Sequence, residues 1–111
     1  IPKQDYEKYL RDYVAKVKTM AGDAKLVWAS MTPLRGDHPN NKVIVARNEI
    51  AAKVMEENGI AIDDLHIVVV GKEGLRSDNK GDAYHYNGKG YAALGAQVSQ
   101  YVTKLMEWDL K

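Results

Sequence analysis

Apolar and polar positions fall into blocks with two different periods. From about Asp5 to Met20, Tyr6, Leu10, Tyr13, Val14 and Val17 recur at helical spacing with Lys and Arg between them, which predicts a helix. Gly22 is placed to stop it, because glycine accepts the left-handed backbone that closes a helix. Lys25 to Met31 is a short, nearly continuous apolar run ending at Thr32-Pro33, and it reads as a strand covered on both faces. Leu34 to Asn41, with Gly36, Asp37 and Pro39, is loop chemistry. A second helix is expected from Lys42 to Asn58, with Ile44, Ala51, Val54 and Met55 as its apolar stripe and Asn58-Gly59 as its end. Ile60 to Ile62, with Leu65, predicts a second short strand. Ile67 to Val70 is apolar and β-branched and fits either a strand or a buried segment. Gly71 to Gly81 is polar and loop-like. From Asn87, a good N-cap, a third helix is expected to run to about Trp108, with Tyr91, Leu94, Val98, Val102 and Leu105 on one face.

The order helix, strand, helix, strand, helix predicts an α/β layer fold with a parallel sheet. Two strands cannot make a sheet buried on both faces, so Leu26-Val27-Trp28-Ala29 needs neighbours that this chain does not supply. The expectation is one domain over residues 1–111 that is the C-terminal half of a larger α/β unit, with the missing strands N-terminal to Ile1. Such a chain would expose an apolar sheet edge and self-associate unless its other half covers it. A small three-helix protein with a β-ribbon is the alternative.

Composition narrows function only by exclusion. The chain has 45% hydrophobic and 28% charged residues, a soluble globular mixture. Its 16 basic against 15 acidic side chains give no argument for nucleic acid or for an anionic membrane. No apolar run approaches the roughly 20 residues needed to cross a bilayer. With no cysteine, disulfides, thiolate metal sites and cysteine nucleophiles are removed together, while the compartment stays open.

The chemistry concentrates just before the third helix. Asp82 and His85 stand three apart after a long polar loop, so both can project to one side of a single turn. A carboxylate there holds one imidazole nitrogen and leaves the other as an outward acceptor, the arrangement a general base needs. Tyr84 and Tyr86 flank the histidine and would wall it from water. Taken alone, Asp-x-x-His equally describes an N-terminal cap beside a solvated histidine, or half of a metal site. His38, in a Gly-Asp-His-Pro loop, and His66, after Asp63-Asp64-Leu65, read as surface residues, with a metal-dependent hydrolase using either of them as a weaker reading. The glycines of Gly71-Lys72-Glu73-Gly74 and Gly88-Lys89-Gly90 do not match a phosphate loop. Of the three serines, Ser30, Ser77 and Ser99, none sits in a strand-to-helix nucleophile turn. Ser30 lies within the apolar run, where a structural role is expected.

The string Gly81-Asp82-Ala83-Tyr84-His85-Tyr86-Asn87-Gly88-Lys89-Gly90-Tyr91 resembles the last block of the GDSL-type, or SGNH, hydrolase family, in which an Asp-x-x-His is followed by a short turn, a glycine, a tyrosine and the final helix. Ala24-Lys25-Leu26-Val27-Trp28-Ala29-Ser30-Met31-Thr32-Pro33 is similar to that family's fourth strand and the loop leaving it. Arg47-Asn48-Glu49-Ile50-Ala51 and the segment from Gly59 to Leu65 follow in the family's order. The resemblance implies an incomplete three-layer α/β/α sandwich of flavodoxin-like type and an acyl or acetyl esterase or lipase acting through a Ser-His-Asp triad. It implies His85 as the base and Asp82 as its orienter, with no cofactor and no metal. The family's serine, glycine and asparagine blocks have no match here, so these residues alone are expected to be inactive. The implied partners are a small ester, an acetylated carbohydrate being one candidate, and the chain's own missing half. A noncatalytic binding or scaffolding protein on the same fold is the alternative.

Overall fold

The computed structural model describes residues 2–107. Helix α1 spans Lys3–Ala21, strand β1 Val27–Ala29, helix α2 Asn41–Glu57, strand β2 Ala61–Asp63, helix α3 Leu65–Val69, and helix α4 Gly88–Met106, with a single 3₁₀ turn at Glu73–Leu75 between α3 and α4. The expected end of the last helix at Trp108 lies outside the described residues. Gly22 at φ 58° and Gly59 at φ 66° end α1 and α2 as their positions predict. Asn87 caps α4, its side chain accepting the Gly90 amide at 2.9 Å.

The two strands pair in parallel, Val27 with Ala61, Trp28 with Ile62 and Ala29 with Asp63, and α2 forms the crossover between them. This is the expected α/β architecture, and a parallel pair excludes a hairpin-like ribbon. β1 is shorter than the Lys25 to Met31 run because its partner is short: β2 ends at Asp63, where the chain turns into α3. Nor is β1 covered on both faces within the described residues. Val27 and Ala29 are exposed and Trp28 half-buried, with the Trp28 Nε1 buried beside no acceptor.

The stripes of α1 and α2 face each other. Leu10 and Val14 pack on Ile50, Ala51, Val54 and Met55, with Tyr6, Trp28, Ile60 and Ile62 against them. Each large side chain fully buried in this way contributes about 1.5–3 kcal/mol. Helix α4 packs on α3, the 3₁₀ turn and β2, and much of its apolar face stays open: Tyr91, Val98, Val102 and Met106 are all exposed. The Ile67 to Val70 segment, open between strand and buried segment, belongs largely to the five-residue helix α3, of which only Val69 is buried.

Candidate active site

Two loops come together at one end of the sheet: the one leaving β1, and the one joining α3 to α4. The first is fixed by side chains of α2. Asn48 of α2 binds both backbone polar groups of Met31, accepting from its amide at 2.9 Å and donating to its carbonyl at 2.9 Å. Asn41, the first residue of α2, does the same for Leu34 at 2.7 and 3.0 Å, and also donates to the Gly36 carbonyl at 3.1 Å. These bonds satisfy backbone groups that no strand neighbour reaches.

Two arginines then tie the loops together. Arg76 is 5% exposed. Its Nη2 donates to the Pro33 carbonyl at 2.7 Å, and its guanidinium carbon lies 4.4 Å from the centre of the Tyr86 ring. The Tyr86 hydroxyl donates to the same carbonyl at 3.2 Å. Nη1 of Arg76 is buried without an acceptor, and the ring face of Tyr86 offsets part of that cost. Arg76 and Tyr86 also form an antiparallel backbone bridge that closes the loop carrying Asp82 and His85. Arg35 reaches into that loop from the other side, donating to Glu73 Oε1 at 2.8 Å and to the carbonyls of Asn79 and Ser77 at 2.8 and 3.0 Å.

On this support stand Asp82 and His85. One carboxylate oxygen of Asp82 accepts the amides of Tyr84 at 2.9 Å and His85 at 3.1 Å, which folds the turn. The other meets Nδ1 of the His85 imidazole at 2.8 Å. The Tyr84 amide, ahead of the imidazole and the His85 amide, holds the Asp82 carboxyl below its ordinary range against the opposing effect of burial. An ionised Asp82 accepts only, so Nδ1 of a neutral imidazole carries the proton and Nε2 bears the lone pair. Nε2 has no hydrogen-bond partner among the described residues, and the His85 side chain is 71% exposed against 21% for Asp82.

The expectation that tyrosines wall the histidine from water is corrected by these positions. Tyr84 is itself exposed, and Tyr86 is buried against Arg76 and Pro33, where its hydroxyl is already used. No serine of the chain meets His85 through its side chain. Ser30 donates to Asp64 at 2.8 Å and accepts the His66 amide at 3.0 Å, a structural staple at the strand ends, as expected of it. The Ser77 hydroxyl accepts the Asn79 amide at 3.2 Å, and Ser99 lies exposed on α4. His38 accepts the Asn40 amide at 3.1 Å within its own loop, and His66 sits in α3. Among the described residues no three histidine or acidic side chains come together as a metal donor set. Two surface cavities of about 220 and 240 Å³ share His66 in their walls, but neither includes Asp82 or His85. The sequence marked Asp82 and His85, but it did not mark Arg35 or Arg76, whose acceptors are largely backbone carbonyls and leave no motif.

No family model and no curated protein matches the chain. Among solved structures, it is similar in fold to the esterase domain of the ZfL2-1 ORF1 protein from the zebrafish ZfL2-1 retrotransposon, with a TM-score of 0.81 at 14% sequence identity over 94% of this chain. The match covers 61% of that chain, and what the two share at this identity is the fold.

Proposed function

We propose that this chain carries the general base, His85, and its orienting acid, Asp82, of a serine-dependent carboxylic ester hydrolase of the GDSL type. The observation that carries the reading is the 2.8 Å contact between His85 Nδ1 and Asp82, which leaves Nε2 exposed and unpartnered. The fold it shares with an esterase domain supports it. In this mechanism a serine from outside the described residues gives its proton to Nε2 as its oxygen attacks the ester carbonyl. His85 passes that proton to the departing alcohol, leaving an acyl-serine. Water then attacks the acyl carbon, losing a proton to Nε2, and the acid and free serine are released. Asp82 keeps the ring in the required tautomer and stabilises the imidazolium formed in each half. The proposed substrate is a small ester, with an acetylated carbohydrate as one candidate. The exposed faces of β1 and α4 are proposed to be covered by the remainder of the esterase unit, or by a second copy when these residues stand alone.

A fluorophosphonate, which phosphorylates an activated serine, tests this on the full-length protein. One adduct per molecule is expected, on a serine other than Ser30, Ser77 and Ser99. An adduct on any of those three would overturn the assignment, and no adduct at all would overturn the serine mechanism.

A further inference from the structure

The Asp82–His85 pair sits on an irregular loop, yet its geometry demands precision. Asp82 must meet two amides and an imidazole at once. Loops between regular elements are ordinarily the mobile part of a domain, so something must fix this one. The backbone bridge between Arg76 and Tyr86, with the Ser77 amide donating to the His85 carbonyl at 3.2 Å, pins only its two ends. Its interior carbonyls converge on a single side chain.

We infer that Arg35 is a positioning residue for the Asp82–His85 pair, holding the loop that carries it through hydrogen bonds to backbone carbonyls inside the loop. Nη1 of Arg35 donates to Asn79 at 2.8 Å and to Asp82 at 3.3 Å, and Nη2 donates to Ser77 at 3.0 Å. The backbone amide of Arg35 donates to the Ala83 carbonyl at 3.0 Å. Glu73 closes the remaining side of the guanidinium, 2.8 Å from Nε and 2.6 Å from Nη2. The side chain is only 13% exposed, and its bonds to the Ser77 and Asp82 carbonyls are part-buried, where charge-assisted hydrogen bonds gain strength. Arg35 is in turn fixed from the helix side, because Asn41 of α2 clamps the preceding Leu34 through both its backbone groups. A continuous path of hydrogen bonds therefore runs from α2 through Leu34 and Arg35 to the backbone of Asp82. The planar guanidinium suits this role, since one rigid fork spans several acceptors, which a lysine ammonium does not.

The inference rests on the reading of Asp82 and His85 as orienter and base, and its test does not require turnover. NMR of the full-length protein and of its Arg35→Lys and Arg35→Ala variants reads two signals: the titration of the Asp82 carboxyl and the Nδ1 proton of His85. Arg35→Lys keeps a cation near Glu73 and is expected to fold. In both variants the Asp82 titration is expected to move up toward that of an unperturbed aspartate, and the Nδ1 proton to be lost to exchange. Arg11→Ala, which breaks an exposed ion pair between α1 and α2, is expected to leave both signals in place. Unchanged signals in folded Arg35→Lys would overturn the inference. A protein without esterase activity whose Asp82 still responds to Arg35 would sink the proposed function and keep the positioning role. An active enzyme whose Asp82 ignores Arg35 would do the reverse. In an active enzyme Arg35→Lys is expected to lower kcat by up to about 100-fold with KM little changed. A raised KM with kcat intact would instead place Arg35 in substrate binding and overturn the inference.

Discussion

Nδ1 of His85 lies 2.8 Å from Oδ2 of Asp82, while Oδ1 of the same carboxylate holds the amides of Tyr84 and His85. One side chain thus folds the turn with one oxygen and sets the imidazole with the other. Asp82→Asn separates these two roles. Its amide oxygen still accepts the two backbone amides, so the turn should survive. Its NH₂ group donates toward Nδ1, which forces the proton onto Nε2 and removes the base. Ester hydrolysis by the full-length protein is expected to fall by about 10⁴-fold while the backbone signals of the turn stay in place. Activity within a few-fold of wild type would show that the tautomer set by Asp82 is not used.

The same contacts set a pH dependence. The Tyr84 amide is the main cause lowering the Asp82 carboxyl, and the Arg35 guanidinium is the main cause lowering that of Glu73. A carboxyl lowered in the folded state adds stability at any pH above its unfolded value, and that stability is lost as pH falls through the folded value. The loop from Ser77 to His85 should therefore be intact at neutral pH and begin to loosen below about pH 4. Amide exchange or backbone NMR across that range measures it. Loop signals that stay constant to well below the carboxylate range would contradict the assignment.

Gly90 lies in the first turn of α4, packed against the loop. A side-chain carbon added there would run into the Leu75 carbonyl oxygen and stand 2.8 Å from the Tyr86 Cβ. Leu75 also accepts the Asn87 amide at 2.9 Å, so it cannot retreat without loosening the start of α4. Gly90→Ala is expected to destabilise the protein by about 1–3 kcal/mol, the usual cost of overpacking, despite alanine's better helix propensity. Thermal or chemical denaturation reads this directly. A neutral or stabilising result would mean that Leu75 and Tyr86 can move apart freely.

The long elements were legible because their information is local. The stripes of α1 and α2, the stops at Gly22 and Gly59 and the Asn87 cap each follow from a few neighbouring residues. So does the Asp82–His85 turn, whose bonds span three residues at most. Helix α3 was not legible, because Ile67, Val68 and Val69 are β-branched and carry no helical period. Its packing against α4 decides its state instead. Arg35 and Arg76 were equally hidden. Each acts across more than forty positions on backbone atoms of the other loop, and a carbonyl has no sequence identity. Expected tyrosine shielding of His85 failed for a related reason: Tyr86 is drawn away by Arg76 and by Pro33, the latter distant in sequence.

The most direct test of the central claim is hydrolysis of p-nitrophenyl acetate by the full-length protein, compared with its His85→Ala variant. Turnover by the wild type is expected, with a loss of at least about 1,000-fold in kcat/KM for a variant that melts at the same temperature. Equal rates in the two proteins would contradict the claim, because Nε2 of His85 could then not be the base.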